Sequence, residues 1–191
     1  MLKNIILDVG GIILDDSKEY IDKILNCDST KIYQKVYQGN FKNCLLGTYT
    51  FNEHISSFVS DPDYEKIKYI LDINNKDFYP LLKDNFEYIK TLKKRGYNLY
   101  LLSNISKESY EHLDKLINIS KYFQGGVYSC FENLVKPDIK IYDLIIQKYN
   151  LNKDETIFFD DKEKNVKTAN KYGIKSYVFK NINDIEKVLN N

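Results

Sequence analysis

The 191-residue sequence has no tryptophan, only three prolines, and no apolar run that approaches the length of a membrane span. Since a membrane-spanning helix needs about 20 consecutive apolar residues, we expect no membrane-embedded segment. The apolar run near the N-terminus is too short for a signal peptide and lacks a cleavage site, which favours a cytoplasmic location. These absences indicate a protein that works away from membranes.

Cysteine and histidine are also scarce. Cys27, Cys44 and Cys130 are odd in number and far apart, which is typical of reduced thiols and not of a disulfide framework. No CxxC pair occurs, and His54 and His112 do not have the spacing of metal ligands. We therefore expect no structural zinc site.

Neither sign of charge is in excess, since 28 Lys and Arg residues stand against 27 Asp and Glu residues, for a net charge of +1. The charges are interspersed and form no basic stripe, so nucleic acid is not an expected partner. With 43% apolar and 29% charged residues, the chain can form a packed globular core. Its length suits one domain, or a core with a small insertion.

The most informative stretch of the chain is Asn4–Asp16, NIILDVGGIILDD. The apolar run Ile5–Leu7 predicts a buried strand of a parallel sheet, and it ends at Asp8. In such sheets ligands bind beyond the carboxyl ends of the strands, which is where Asp8 falls. Gly10 and Gly11 allow a tight turn and the close approach of a ligand, although Asp and Gly are also common in plain turns.

The residues after this stretch show helical spacing and no convincing strand. Four or five short helices are predicted, at Ser17–Cys27, Ser29–Tyr37, Phe41–Leu46, Phe51–Val59 and Asp61–Leu71, the last with Pro62 in its first turn. We therefore expect a helical bundle, residues 15–81, inserted after the first strand.

From about Pro80 onward, short apolar runs alternate with helical segments. Strands are predicted at Tyr97–Leu102, Gly125–Cys130, Thr156–Phe159 and Lys175–Phe179. Helices are predicted at Asn85–Arg95, Ser106–Ile117, Ile139–Tyr149, Asn165–Tyr172 and Asn183–Leu189. This alternation predicts right-handed βαβ units. The expected fold is α/β: a Rossmann-like parallel sheet with helices on both faces, formed by residues 1–14 and 82–191, and capped by the helical bundle 15–81.

Polar residues follow the apolar runs at three predicted strand ends and at one loop-to-helix boundary: Asp8, Ser103-Asn104, Asp160-Asp161 and Lys136. Because the carboxyl ends of parallel strands share one edge, we expect these side chains to meet. Two carboxylates with a carbonyl and waters suit Mg²⁺, and a lysine beside the metal would neutralise a phosphoryl group. The hydroxyl and the amide after it would bind other phosphoryl oxygens. An aspartate close to the metal could attack phosphorus and form an aspartyl-phosphate.

Each of these signals also has a simpler interpretation. Ser103-Asn104 could be the N-cap of the next helix, and Asp160-Asp161 could be a turn after a strand. Lys136 could be a surface lysine before a helix that starts with proline. Their ordered recurrence at strand ends favours a shared site.

In this order the residues resemble the motifs of the haloacid dehalogenase-like hydrolases, over nearly the whole chain. The matching stretches are LDVGG with Asp8, LYLLSN with Ser103, VKPDIKIY with Lys136, and FFDDKEKNVKTANKYG with Asp160, Asp161, Asn165, Ala169 and Gly173. The insertion after the first strand is similar to the helical cap of the family's first subclass. The first motif is similar to that of a DxGG subgroup that includes sugar-phosphate phosphatases.

The resemblance implies a set of roles for these residues. Mg²⁺ would be held by the Asp8 carboxylate, the Gly10 carbonyl and Asp161, with Asp160 close by. Asp8 and Lys136 would be catalytic. The phosphoryl group would be bound by Ser103, Asn104 and Lys136.

The chain departs from the family pattern at Gly10, where phosphatases of the family usually carry a second aspartate. That aspartate protonates the leaving group and later activates water, a role typically worth about 10²- to 10⁴-fold in rate. Either Asp15 or Asp16 is a candidate to replace it.

The leading hypothesis is a Mg²⁺-dependent phosphatase of small phosphorylated metabolites such as sugar phosphates, acting as a monomer or homodimer. One alternative is a 2-haloacid dehalogenase-type hydrolase, and another is a non-catalytic phosphate-binding or regulatory module. A receiver domain is disfavoured because its acidic pair comes before the phosphorylated aspartate. The cap residues that would select the substrate stay undecided among Tyr20, Tyr33, Tyr37, Lys42 and Tyr49.

Overall fold

The computed structural model describes residues 2–190, and a single parallel sheet organises them. Its five strands are β1 (Asn4–Leu7), β2 (Asn98–Ser103), β3 (Gly125–Tyr128), β4 (Thr156–Asp160) and β5 (Lys175–Val178). Their order across the sheet is β3-β2-β1-β4-β5, and every neighbouring pair is parallel. Because β1 is central, the residue that follows it lies in the middle of the carboxyl edge of the sheet.

Helices cover both faces of this sheet. They are α6 (Lys83–Lys94), α7 (Lys107–Ile117), α8 (Ile119–Tyr122), α9 (Ser129–Glu132), α10 (Ile139–Lys148), α11 (Glu163–Tyr172) and α12 (Ile182–Leu189). Alternate strand residues point to opposite faces. Thus Ile6 and Phe158 pack in one apolar cluster with residues of α10 and α11, while Ile5 and Phe159 pack in the other with residues of α6 and α7. The predicted α/β fold is confirmed.

Five short helices lie between β1 and α6: α1 (Lys18–Leu25), α2 (Thr30–Tyr37), α3 (Phe41–Leu45), α4 (Phe51–Ser56) and α5 (Tyr64–Leu71). We call residues 18–71 the helical segment. Its buried side chains, such as Ile21, Ile32 and Ile67, belong to the same apolar cluster as Ile5 and Leu7 of the sheet. The helical segment therefore packs on the core and is not a separate lobe with its own isolated interior.

Several details of the sequence-based prediction are wrong. The strand predicted to reach Cys130 ends at Tyr128, because the chain turns into α9 there. The last helix of the helical segment begins at Tyr64, so Pro62 lies before it and not in its first turn. Helices α8 and α9 were missed because four residues form only about one turn, too short for a repeating apolar pattern.

The two connections between the sheet and the helical segment run side by side. The Asp15 amide donates to the Pro80 carbonyl at 2.9 Å, and the Leu82 amide donates to the Ile13 carbonyl at 2.8 Å. The predicted boundaries between the inserted helical bundle and the rest of the chain, at residues 14–15 and 81–82, fall in this pair of connections. The outer limits of that prediction, residues 1 and 191, lie outside the described residues. No helix in the described range is both long and apolar enough to cross a bilayer.

Candidate active site

The polar residues predicted to meet do so at the carboxyl edge of the sheet. Asp8 follows β1, Ser103 ends β2, and Asp160 ends β4 with Asp161 next to it. Lys136 reaches the same place from the loop between α9 and α10. A cavity of about 310 Å³ opens here between the sheet and the helical segment.

Lys136 is buried and links the three central strands, β2, β1 and β4, at this edge. Its Nζ lies 2.6 Å from Asp160 Oδ2 and 2.9 Å from Asp8 Oδ2, and it donates to the Leu102 carbonyl at 2.7 Å. Since a buried ammonium needs charged partners to offset its lost hydration, this arrangement explains how the lysine is tolerated. Lys136 is therefore not a surface lysine.

Asp8 is buried, and both of its carboxylate oxygens have donors. Oδ1 accepts from the Val9 amide at 2.7 Å, and Oδ2 faces Lys136. Burial raises the pKa of Asp8 to about 7, against the opposing effect of Lys136. The carboxylate is thus oriented from two sides, as a nucleophile requires.

Asp160 is the more heavily bonded carboxylate of the site. Its Oδ1 accepts from the Lys162 amide at 2.8 Å and from Asn165 Nδ2 at 2.9 Å, and its Oδ2 faces Lys136. Burial opposes ionisation, but Lys136 and these hydrogen bonds lower the pKa of Asp160 below its usual range. Asp160 therefore stays charged and holds the lysine in position.

We expect Lys136→Met to destabilise the protein by about 3–5 kcal/mol, because it leaves two buried carboxylates without their cation. The unfolding free energy from urea titration measures this change. The control is Lys167→Met, because Lys167 pairs with Glu163 on the surface, with the two side chains 67% and 68% exposed. That variant should unfold like the parent chain, and equal effects of the two substitutions would contradict the prediction.

The donor set at this edge fits a hard divalent cation. Asp8, Asp160 and Asp161 each present a carboxylate oxygen within 4.8 Å of the others. Asp161 Oδ1 is buried and has no hydrogen-bond partner, which is costly unless a cation completes the site. Carboxylate oxygens are the ligands that Mg²⁺ and Ca²⁺ prefer.

The two glycines after β1 make room for two carboxylates. A side-chain carbon built on Gly10 would lie 2.8 Å from Asp16 Oδ2, and one built on Gly11 would lie 3.2 Å from the Asp161 side chain. Gly11 also has a φ of +69°, which favours glycine. The carboxylate of Asp16 thus occupies the space that a side chain at position 10 would take.

The adjacent aspartates Asp15 and Asp16 have different surroundings. The Asp15 carboxylate accepts from the amide and hydroxyl of Ser17 at the start of α1, and Asp15 is not among the residues that line the cavity. Asp16 lines it beside Asp8. Burial raises the pKa of Asp16, and Lys162 opposes the shift. Of the two candidates, the geometry favours Asp16.

Ser103 and Asn104 play different parts in the structure. Both line the cavity, but the Asn104 side chain also bonds the Lys136 backbone. Its Nδ2 donates to the Lys136 carbonyl at 2.9 Å, and its Oδ1 accepts from the Lys136 amide at 2.7 Å. Asn104 therefore fixes the lysine loop through both polar atoms of its side chain. The N-cap of α7 is Ser106, so Ser103-Asn104 is not the cap of that helix.

The wall opposite the carboxylates contains residues that sequence reasoning left undecided or missed. Tyr33, Tyr37, Phe41, Leu45 and Tyr79 line it. Tyr33 and Tyr37 lie four residues apart in α2, a signal that could have grouped them, since i and i+4 share a helix face. Phe41 begins the separate helix α3, so no helical period links it to them. The other candidates face elsewhere: the Tyr20 hydroxyl donates to the Asp77 carbonyl at 2.9 Å, and Lys42 and Tyr49 are exposed outside the cavity.

A family model described as haloacid dehalogenase-like hydrolase matches residues 2–173. The chain belongs to this family. The prediction of a haloacid dehalogenase-like hydrolase is thereby confirmed, and the edge of the sheet where the carboxylates meet is the expected place for the hydrolase's chemistry.

Two relatives of this hydrolase are phosphatases. A sesquiterpene phosphatase, astK, of Aspergillus oryzae is 30% identical over 86 residues, which are 45% of this chain and 44% of that protein. A phosphorylated carbohydrates phosphatase of Thermotoga maritima is 21% identical over 185 residues, 91% of this chain and 82% of that protein. The chain spans less than half the length of the first curated relatives that it matches.

Among solved structures, the HAD family enzyme BT-2542 of Bacteroides thetaiotaomicron, in a magnesium complex, superposes with a TM-score of 0.76. The two chains are 22% identical, and the match covers 100% of this chain and 99% of that one. At this identity the match supports the fold of the hydrolase and nothing finer.

Proposed function

We propose that the protein is a Mg²⁺-dependent phosphatase of small phosphate monoesters that works through an aspartyl-phosphate on Asp8. The observation that carries the proposal is the arrangement at the carboxyl edge. A buried lysine bridges Asp8 and Asp160, and an unpartnered Asp161 oxygen lies beside them. Such a set can bind an anionic phosphoryl group and a divalent cation together.

In the proposed reaction, a carboxylate oxygen of Asp8 attacks phosphorus while the bond from phosphorus to the alcohol oxygen breaks. Asp16 donates a proton to the departing alcohol. It then takes a proton from water, which attacks the aspartyl-phosphate and releases inorganic phosphate and free Asp8. The Lys136 ammonium, the Ser103 hydroxyl and the Asn104 backbone amide bind the phosphoryl oxygens.

The Asp8 carboxylate, the Gly10 carbonyl and Asp161 would hold Mg²⁺, with Asp160 directly beside them. When bound, the ion neutralises phosphoryl charge and favours the ionised form of Asp8. Asp160 already bonds Lys136 and Asn165. This supports placing it beside the ion and not among the ion's direct ligands.

Residues 15–81 act in this proposal as a cap on a catalytic core of residues 1–14 and 82–191. Their contact with the core excludes bulk water from the cavity. Three contacts anchor the cap: Ser129 Oγ donates to the Leu45 carbonyl at 2.6 Å, the Phe51 amide donates to Glu108 at 2.7 Å, and Gly47 packs on the Cys130 backbone. The relatives that are phosphatases of a sesquiterpene and of phosphorylated carbohydrates support a small substrate.

The experiment that tests the proposal is phosphate release from 4-nitrophenyl phosphate, with and without EDTA. We expect EDTA to abolish turnover and excess Mg²⁺ to restore it. The variant Asp161→Asn should need an Mg²⁺ concentration at least about tenfold higher for half-maximal rate, because the substitution removes a charged ligand. The exposed Asp154→Asn serves as the matched control.

Two other outcomes would replace this function. Halide release from 2-haloacids that EDTA leaves untouched would indicate the dehalogenase. Binding of Mg²⁺ and inorganic phosphate in calorimetry without turnover of any ester would indicate the non-catalytic module.

A further inference from the structure

The cavity has two unlike sides, and the side formed by the helical segment together with Tyr79 is aromatic. Tyr33, Tyr37 and Phe41 form a ladder with ring centroids 4.4 Å and 4.9 Å apart. Leu45 and Tyr79 complete what we call the aromatic wall. This wall faces the carboxylates and therefore lies where the alcohol part of a phosphate ester would be held.

The aromatic wall offers few hydrogen bonds. The hydroxyls of Tyr37 and Tyr79 bond each other at 2.8 Å, which uses one of their two O–H donors. The wall is thus left with two hydroxyl donors, one from this pair and one from Tyr33. Burial raises the pKa of Tyr33, so this hydroxyl stays neutral near pH 7. None of the five wall residues has an amide or a charged side chain. The hydroxyls of a sugar would lose water here without gaining enough partners.

The charged residues of the cavity lie on the other side. Lys136, Lys162 and Lys164 come from the core around the sheet, together with Asp8, while Asp16 stands between the two sides. Lys162 already stands among the carboxylates of Asp16, Asp161 and Asp8, and Lys164 is exposed. On the side that holds the alcohol, a second phosphate or a carboxylate would therefore meet the aromatic wall or the Asp16 carboxylate, and neither stabilises an anion. One phosphoryl group therefore satisfies the charged side, and the rest of the substrate should be neutral.

We infer that this site selects phosphate monoesters of small, neutral, predominantly apolar alcohols over sugar phosphates and bisphosphates. The inference rests on the proposed phosphatase function and specifies its substrate class. A cavity of about 310 Å³ is at the lower end of the range for ligand pockets, which suits a phosphoryl group with a single ring and not a long lipid chain.

A matched pair of substrates tests this inference. Cyclohexylmethyl phosphate and glucose 6-phosphate both carry the phosphoryl group on a CH₂ attached to a six-membered ring, but only the second has ring hydroxyls. We expect kcat/KM for cyclohexylmethyl phosphate to be at least about tenfold higher in the holoenzyme with Mg²⁺. An equal or reversed preference would overturn the inference.

A variant of the wall tests the same point independently. Tyr33→Gln brings an amide into the half-buried end of the wall and should lower the preference ratio several-fold, with folding checked by circular dichroism. Tyr49→Gln alters an exposed tyrosine outside the cavity and should leave the ratio unchanged. If the ratio is the same in both variants, the wall does not select the substrate.

Turnover of 4-nitrophenyl phosphate distinguishes failure of the inference about substrate class from failure of the proposed phosphatase function. If it is hydrolysed and glucose 6-phosphate is the better member of the matched pair, only the inference about substrate class fails. If no phosphate ester is hydrolysed at all, the proposed function fails and the inference falls with it.

Discussion

Asp8→Asn is expected to abolish hydrolysis of phosphate esters, with a fall in kcat of at least about 10⁴-fold. An amide cannot form the aspartyl-phosphate, so the reaction loses its first covalent step. The substitution keeps the Oδ1 acceptor for the Val9 amide, and Asp160 remains to pair with Lys136. The variant should therefore fold, which a thermal melt by circular dichroism checks alongside the phosphate-release assay.

The matched control for Asp8→Asn is Asp84→Asn, which changes an exposed aspartate in the first turn of α6. It should retain the parent rate. Turnover by a folded Asp8→Asn variant at the parent rate would rule out Asp8 as the nucleophile, and with it the proposed aspartyl-phosphate.

Asp16→Asn is expected to lower kcat/KM for alkyl phosphates by about 10²- to 10⁴-fold, the usual contribution of general acid–base catalysis. We use kcat/KM because it covers the steps up to release of the alcohol and excludes the later activation of water. The reason is geometric: its carboxylate takes the place that Gly10 leaves beside Asp8, and it faces the cavity. The effect should be smaller for 4-nitrophenyl phosphate, because a nitrophenolate leaves readily without a proton. This dependence on the leaving group separates proton transfer from a merely structural role.

The neighbouring variant Asp15→Asn is the control for Asp16, since the Asp15 side chain is occupied by Ser17 at the start of α1. It should behave like the parent protein with both substrates. A uniform loss of kcat/KM with all esters in Asp16→Asn, or an equal loss in Asp15→Asn, would show that Asp16 is not the proton donor.

Much of the fold could be predicted because its signals are local. Apolar runs such as Ile5–Leu7 and Thr156–Phe159 predict buried strands. In the structure these two strands pair in register at the centre of the sheet. Helical spacing likewise revealed the five short helices of the helical segment. Four-residue helices such as α9 were not predicted, because a single turn is too short to show a repeating apolar pattern. The predicted helix ends differ from the observed ones because capping depends on a few side-chain contacts.

The residues of the candidate site could be predicted from the sequence, but the contacts between their side chains could not. Asp8, Ser103 and Asp160 follow apolar runs, so the parallel sheet alone brings them to one edge. The sequence did not reveal that the Asn104 side chain bonds the Lys136 backbone, because that contact joins residues 32 positions apart.

By itself, the sequence determined the order of the motifs along the chain, the family and the positions of the candidate carboxylates, since each depends on residues close together in the chain. Only the tertiary structure decided between Asp15 and Asp16, and only it placed Tyr33, Tyr37 and Phe41 over the carboxylates. The physical reason is that helical periodicity tells which residues share a face. What that face meets is settled by long-range packing, and at Gly10 by the absence of a side chain that would exclude Asp16.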